Sequence, residues 1–429
     1  MAILGLDIGG ANIKAADAAG RAINRPFAIW RQYEGLTTEI ASILHAFPET
    51  DQIALTMTAE LADCFSTKSE GVRFILEAVD AAVEDQRNPL TLTPSASRGA
   101  GVSPPGRGEA TGGAHRANDS PTRNPTCDAH EKSPQGRGEG TGDLHRANDI
   151  PTRNPSCDAH EKSPRFVREG TGVVVWSTEG EFISSTDARD CPQKVAAANW
   201  HALATWYGRF VPEGTSLLID IGTTTTDIIP LLHGKPVPMG LTDVDRLQSG
   251  ELSYFGVKRT PVCAVAHSVP FRNGYCPLAA ELFATSLDIY LLLGDIAEDE
   301  RNVDTANGKP ATKAAAHDRL ARMLCCDRNE ISFDETVEIA RFLADVQRQR
   351  LAGALERVVQ RLPDKCQAVV LSGSGAFLAQ QLVSENRHLS NINVVSLARQ
   401  LSPNVSEAAC AYAVAQLATS MKQLESTKI

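Results

Sequence analysis

SLLIDIGTTTTDIIPL, residues 216–231, is the stretch that decides the fold of this chain. An apolar strand leads to an aspartate and a glycine turn, a run of threonines follows, and a second aspartate opens another apolar strand. Backbone amides beside glycine can approach an anion without Cβ hindrance, and carboxylates bind hydrated magnesium. The stretch therefore predicts a β-hairpin that binds a metal–phosphate group through Asp220, Gly222, Thr223, Thr224, Thr225 and Asp227.

Residues 3–18, ILGLDIGGANIKAADA, repeat this pattern. Asp7 ends one apolar strand, Gly9 and Gly10 form the turn, and Asn12 and Lys14 share one face of the next strand. A plain hairpin of β-branched residues explains either stretch alone. Two matching hairpins in one chain instead indicate a duplicated fold with one hairpin in each lobe. We expect Asp7 to bind the metal, and the turn residues with Asn12 to bind phosphate.

A third glycine turn lies in AVVLSGSGAFLAQQL, residues 368–382. An apolar strand runs through Gly373, Ser374 and Gly375 into a helix, and helix N-termini favour anions. These three residues are predicted to bind phosphate. A tight strand-to-helix turn without a ligand is the alternative.

Composition restricts the class of protein. Hydrophobic residues make up 42% and charged residues 22% of 429 residues, as in water-soluble enzymes. The net charge of −10 argues against binding nucleic acid or anionic membranes. With no long apolar run and no basic leader before the first strand, we expect a cytoplasmic protein without a membrane partner. Whether it forms a homo-oligomer stays open.

A repeat interrupts the chain. SPPGRGEATGGAHRANDSPTRNPTCDAHEK begins at Ser103 and returns with few changes at Ser133, so that Cys127 recurs as Cys157. The repeat has almost no residues that could build a core, which predicts a disordered insertion. Its CDAH units invite a zinc interpretation, but the spacing is not that of a familiar finger.

These features predict five segments. The first lobe comprises residues 1–96 and 171–211, with the insertion 97–170 between them. The second lobe comprises residues 212–398, and a C-terminal helix in residues 399–429 returns to the first lobe. The first lobe is expected to resume with a strand pair around Glu179-Gly180.

The three glycine segments, in this order, resemble the two phosphate motifs and the adenosine motif of the sugar kinase/Hsp70/actin superfamily. DIGTTTTD, residues 220–227, resembles the signature of its hydantoinase A/oxoprolinase branch. Five further segments resemble the tetrahydromethanopterin-linked C1-transfer pathway proteins: TMTAELADCF (56–65), ANWHALA (198–204), DRLQSGELSYFGVKRTPVCA (245–264), LLLGDIAED (291–299) and DTANGKPAT (304–312). The resemblance implies an α/β, two-lobed, ribonuclease H-like duplicated fold.

That group is similar to the archaeal enzyme of methanofuran biosynthesis that joins an aminomethylfuran diphosphate to the phenol of a tyramine unit. The resemblance thus implies a transferase of one-carbon metabolism that acts on a diphosphate and a phenolic amine, with Mg²⁺ as cofactor. ATP is possible but not favoured, because Ala11-Asn12 replace the threonine of sugar kinases, which argues against kinase activity. Thr223 replaces a glycine of the branch, a change expected to alter how closely phosphate approaches. The alternatives are an ATP-dependent small-molecule kinase, a hydantoinase/oxoprolinase-like hydrolase, and a non-catalytic nucleotide-binding protein.

Candidate residues follow from this interpretation. Asp245, Arg246 and Gln248 form a polar set beside a glycine turn and are expected to contact substrate. An apolar helix over residues 277–295 is expected to be buried, with Glu281 and Asp288 on one face, either ion-paired or lining the cleft. The predicted catalytic residues are Asp220, Lys14, Glu60 and Glu251.

Overall fold

The computed structural model describes residues 2–87 and 172–426. The predicted repeat insertion and its disorder lie outside these residues. In chain order the strands β1–β14 are Ala2–Ile8, Asn12–Asp17, Ala22–Pro26, Thr50–Met57, Val173–Trp176, Phe182–Ser184, Thr215–Ile221, Thr226–Leu232, Lys235–Pro236, Leu252–Ser253, Ser268–Phe271, Gly274–Pro277, Ala368–Ser372 and Asn393–Ser396. The helices α1–α14 are Ile29–Gln32, Leu36–His45, Lys68–Arg87, Ser185–Asp190, Asn199–Tyr207, Asp243–Ser249, Val262–Val265, Ser286–Leu293, Lys313–Arg322, Phe333–Val359, Ala376–Glu385, Leu397–Gln400, Pro403–Glu407 and Ala409–Ser426.

Two sheets with matching topology form the frame of the described chain. The first has the order β3-β2-β1-β4-β5-β6 and the second β10-β8-β7-β13-β14, with β9 beside β8. In each sheet the central strand, β1 or β7, pairs antiparallel with the hairpin strand that follows it. On its other side the central strand pairs parallel with β4 or β13. The predicted α/β, two-lobed, duplicated fold is therefore confirmed.

Helices cover both faces of the central strands, which explains why their sequences are almost continuously apolar. Alternate residues of β1, such as Leu4 and Leu6, face a core with α2 and α3. Ile3, on the opposite face of β1, packs with α14. On that same face a Cβ atom on Gly5 would lie 1.8 Å from the Ala411 carbonyl oxygen. The glycine thus lets α14 pack directly on the backbone of β1.

Helices α5 and α14 lie between the two sheets. Their residues Ala202 and Val414 pack with strands of the first sheet, whereas Leu203 and Ala413 pack with strands of the second. Asp7 lies on the α14 face of β1, because residues of a strand alternate between its faces. The helix pair therefore joins the sheets next to both hairpin turns. The five predicted segment boundaries stay predictions.

Two local expectations have different outcomes. The strand pair around Glu179-Gly180 is confirmed, since β5 and β6 pair antiparallel. The helix expected over residues 277–295 begins only at Ser286 and ends at Leu293, so Glu281 precedes it and does not share its face. None of the helices in the described ranges is long and apolar enough to cross a membrane.

Candidate active site

A cavity of about 480 Å³ is lined by residues of both sheets and of the helices between them. The β1–β2 turn contributes residues 9–12, and the β7–β8 turn contributes residues 222–225. The duplication thus brings the two predicted phosphate turns to one space. The predicted site residues that line it are Asp7, Gly9, Gly10, Asn12, Lys14, Glu60, Asp220, Gly222, Thr223, Thr224, Thr225, Asp227 and Arg246.

The two turns are closed in the same way. The amide of Gly9 donates to the carbonyl of Asn12 over 2.9 Å, and the amide of Gly222 donates to that of Thr225 over 2.8 Å. These bonds occupy the amides of Gly9 and Gly222, which therefore cannot also bind a phosphate. The prediction that they cradle the anion with their own N–H groups is wrong.

The amides at the centre of each turn are the ones available to an anion. Val257 and Arg259 donate their backbone N–H groups to the carbonyls of Gly222 and Thr223, over 3.1 and 2.9 Å. In a trans peptide the N–H points opposite to the C=O, so the amides of Thr223 and Thr224 face away from this supporting loop. They make no hydrogen bond within the described part of the chain.

The first turn is supported in the same way. Phe27 and Ile29 donate to the carbonyls of Ala11 and Gly10, over 2.9 and 3.1 Å. The amides of Gly10 and Ala11 likewise have no partner among the described residues. A Cβ atom on Gly10 would meet no protein atom within 4 Å, so the space before this turn is open to a ligand.

Charged residues flank each turn at equivalent positions. Asp7 lies opposite Lys14 in the first hairpin, and Asp220 lies opposite Asp227 in the second. Burial, with Asp227 nearby, raises the pKa of Asp220 to about 6. Burial lowers the pKa of Lys14, but Asp7, Cys410 and acidic groups that include Asp220 together outweigh it and raise that pKa overall. Lys14 is therefore charged at neutral pH and makes no ion pair within the described residues.

Glu60, just after β4, is buried with 1% of its surface exposed. Its Oε2 atom has no hydrogen-bond partner in the described structure. Burial raises the pKa of Glu60 to about 7. A carboxyl group that titrates near neutral pH suits proton transfer.

Arg246, on α6, is buried and holds Asp227 in place. Its guanidinium forms an ion pair with Asp227 and lies 3.9 Å from the centroid of the Trp200 ring. Burial raises the pKa of Asp227, and the ion pair with Arg246 opposes that rise. Arg246 is thus committed to a carboxylate and an aromatic ring, which makes it part of the cavity wall.

Six predicted site residues do not line the cavity. Asp245 accepts a hydrogen bond from the Thr242 hydroxyl at the start of α6, and Gln248 is exposed on that helix. Glu251 is fully buried and accepts from the Met239 amide over 2.9 Å, so it is occupied in the fold. These positions correct the expectation that Asp245 and Gln248 contact substrate and that Glu251 acts in catalysis.

The third glycine turn is not part of the cavity lining, although a Cβ atom on Gly373 would lie only 2.7 Å from the Asp220 side chain. The Gly375 amide donates to the Ile221 carbonyl over 2.8 Å, and a Cβ atom on Gly373 would lie 2.2 Å from that same oxygen. Ser374 is exposed between them. The segment packs β13 and α11 against β7, which is the structural alternative left open for it.

Sequence reasoning missed an aromatic and apolar wall beside the phosphate turns. Trp30, Leu61, Trp200 and Tyr254 line the cavity, and Arg259 joins them from the loop that supports Thr223. Nothing in the spacing of these residues distinguishes them from core or surface positions. Only the fold brings them together.

The carboxylates fit a partly hydrated cation and not a closed cage. Asp7 is buried, and its Oδ1 atom has no hydrogen-bond partner among the described residues. Residues 2–87 and 172–426 contain no group of three acidic, histidine or cysteine side chains that could hold a metal ion. Asp7, Asp220 and Asp227 therefore do not form a complete ligand set. Mg²⁺ bound to phosphates needs only one or two protein carboxylates.

Comparison with known proteins identifies relatives. The chain is 27% identical, over 99% of its length and 98% of the relative, to (4-{4-[2-(gamma-L-glutamylamino)ethyl]phenoxymethyl}furan-2-yl)methanamine synthase of Methanocaldococcus jannaschii. It is 32% identical to the synthase of the same name from Methanococcus vannielii, over 47% of this chain and 89% of that one. These names confirm the prediction of an enzyme.

Among solved structures, nucleotide-free acetone carboxylase is similar with a TM-score of 0.48 and 9% identity, covering 96% of this chain and 70% of that one. The archaeal actin homologue Ta0583 has a TM-score of 0.38 at 11% identity, with 98% and 100% covered. The hydantoinase/oxoprolinase family matches residues 156–421. That match spans more than half of the sequence, and the chain belongs to the hydantoinase/oxoprolinase family.

Proposed function

We propose that the protein is a transferase of methanofuran-type C1-carrier biosynthesis that joins a phenol to an aminomethylfuran diphosphate with release of diphosphate. The observation that carries the proposal is the composition of the cavity. Two turns whose central amides have no partner among the described residues, and Lys14, lie beside an aromatic wall and the buried Glu60, whose Oε2 atom has no partner there. The names of the two relatives describe a phenoxymethylfuran, which contains the ether that this reaction would form.

The turns and Lys14 are the proposed diphosphate site. The amides of Ala11, Thr223 and Thr224 would donate to phosphate oxygens, and Lys14 would neutralise charge as the leaving group departs. Asp7 and Asp220 would hold a hydrated magnesium ion beside the diphosphate. When bound, this ion would supply electrostatic stabilisation of the leaving diphosphate.

The aromatic wall is the proposed site of the phenol and the furan ring. The phenol oxygen attacks the furfuryl carbon, the bond from that carbon to the diphosphate oxygen breaks, and the diphosphate leaves with the bonding electrons. The phenolic proton passes to the Glu60 carboxylate, whose pKa of about 7 suits a base at neutral pH. Tyr254 and Trp30 would hold the rings in place and exclude water from the reacting carbon.

The ATP-using alternatives need an adenine site beside Gly373 and Gly375. In the described chain Gly373 packs against Ile221 and the Asp220 side chain, Gly375 packs against Ile221, and neither glycine lines the cavity. The transferase needs aromatic groups next to the phosphates, and Trp30 and Tyr254 lie there. The geometry therefore favours the transferase.

The test is a diphosphate-release assay with Mg²⁺, an aminomethylfuran diphosphate and tyramine, run with and without ATP. We expect release that requires the phenol and not ATP, and that is lost in Asp220→Ala and in the milder Asp220→Asn. Glu34→Gln, a change at an exposed residue outside the cavity, is the matched control. ATP hydrolysis without phenol-dependent release would refute the proposal.

A further inference from the structure

Two side chains from opposite lobes meet beside the two glycine turns. Trp30 lies on α1 and Arg259 in the loop after β10, and both line the cavity. The Arg259 guanidinium carbon lies 5.7 Å from the centroid of the Trp30 ring. At this distance the positive charge is attracted to the face of the indole.

The backbone at or next to each of these residues is hydrogen-bonded to the centre of one turn. The backbone amide of Arg259 donates to the carbonyl of Thr223 over 2.9 Å. The amide of Ile29, next to Trp30, donates to the carbonyl of Gly10 over 3.1 Å. An anion held between the turns would therefore lie next to the Trp30–Arg259 pair.

Arg259 is available to such an anion, whereas Arg246 is not. The guanidinium of Arg246 is buried in its ion pair with Asp227. Arg259 pairs over 2.8 Å with Asp304, whose side chain is 69% exposed. An ion pair with so exposed a partner is weak, so a diphosphate can replace Asp304.

We infer that Arg259 is a catalytic residue that binds the distal phosphate of the diphosphate and neutralises its charge as it leaves. The planar guanidinium can donate two hydrogen bonds to one phosphate, and its cation–π contact with Trp30 would help to keep it beside the cleft. This inference rests on the proposed function for its catalytic part. The binding of a diphosphate by Arg259 does not depend on which carbon is transferred.

The test measures the binding of inorganic diphosphate in the presence of Mg²⁺ by isothermal titration calorimetry. This measurement does not depend on catalytic turnover. Arg259→Gln is expected to weaken binding by about tenfold or more, because a charged hydrogen bond to phosphate is lost. Lys258→Gln removes the same charge from the neighbouring residue, which does not line the cavity, and should change affinity less than about twofold. Arg259→Lys should bind with intermediate affinity, because it retains the charge and loses the two-pronged geometry.

Several outcomes would overturn the inference. Equal diphosphate affinities in Arg259→Gln and Lys258→Gln would do so, as would equal losses for inorganic monophosphate and diphosphate in Arg259→Gln. If Arg259→Gln instead raised the KM only for phenolic substrates that carry a carboxylate, Arg259 would be a residue that binds the phenol and not the diphosphate.

Failure of the proposed function gives a different result. In that case no phenol-dependent release is seen, while the contrast in diphosphate affinity between Arg259→Gln and Lys258→Gln persists. That result would support Arg259 as a diphosphate ligand of a different reaction.

Discussion

Replacing Glu60 with glutamine is expected to change how the stability of the protein depends on pH. Burial raises the pKa of Glu60 from 4.5 to about 7 in the folded protein. The folded state therefore binds the proton more tightly than the unfolded state does, and stability falls as pH rises from 4.5 through about 7. Since one pKa unit corresponds to about 1.4 kcal/mol, ionisation of Glu60 costs about 3 kcal/mol at most. Glutamine cannot ionise and escapes this cost.

The measurement is the free energy of unfolding in urea at pH 5 and pH 8 for the unaltered protein, Glu60→Gln and the exposed control Glu34→Gln. At each pH the free energy of unfolding of Glu60→Gln is compared with that of the unaltered protein. From pH 5 to pH 8 this difference should shift in favour of the variant by up to about 3 kcal/mol. The same comparison for Glu34→Gln should be close to zero. If the effect of Glu60→Gln is the same at both pH values, the carboxyl group titrates normally and the reasoning fails.

Glu60 also leads to a prediction about how activity depends on pH. The rate of diphosphate release should rise with pH through about 7 as Glu60 loses its proton. Glu60→Gln should reduce the rate by about 10² to 10⁴-fold and remove this rise, as expected for loss of a general base. A variant that keeps the same rise with pH would show that another group accepts the phenolic proton.

Three further changes test the frame and the charges of the site. Gly5→Ala should lower the free energy of unfolding by about 2 kcal/mol or more, measured in urea, because its Cβ would lie 1.8 Å from the Ala411 carbonyl oxygen. Arg246→Met should cost about 3 kcal/mol in the same assay by leaving Asp227 buried and unpaired, and adding Asp227→Asn should restore part of the loss. Lys14→Gln should weaken diphosphate binding about tenfold by calorimetry, and removal of Mg²⁺ with a chelator should weaken it for the unaltered protein. Equal affinities in these titrations would exclude Lys14, or the metal, from the site.

The duplicated frame was predictable because it depends on short-range chemistry. An apolar strand, an aspartate and a small turn specify a hairpin locally, and two such hairpins imply two sheets. The residues of each turn whose amides are available to an anion were harder to predict. Gly9 and Gly222 carry the sequence pattern, yet their amides close the turns, so that only the neighbouring amides are available to the proposed anion. That outcome depends on the loops that hold the turn carbonyls, and these loops come from distant parts of the chain.

Polar clusters in the sequence proved less informative than their density suggested. Asp245, Gln248 and Glu251 are close in sequence, but Asp245 accepts from the Thr242 hydroxyl at the start of α6 and Gln248 is exposed on that helix. Glu251 follows the helix and accepts from the Met239 amide. Similarly, Asp288 is buried in an ion pair with Arg319 and not in the cleft. A side chain's direction depends on where its helix begins, which an apolar run does not reveal. Trp30 and Arg259 were missed because they are far apart in the sequence and only the folded lobes bring them close together.

The charges in the cavity favour a divalent cation on physical grounds. Asp7 and Asp220 both lie near Lys14, so a single ammonium group faces two carboxyl groups before any ligand enters. A diphosphate adds further negative charge, and Arg259 offsets only part of it. Protonation of Asp220, with a pKa of about 6, could relieve the repulsion in mildly acidic solution. We therefore expect a divalent cation to enter with the diphosphate at neutral pH, because it would offset the charge of both carboxylates. The buried Oδ1 atom of Asp7, which has no hydrogen-bond partner among the described residues, would be an acceptor for it.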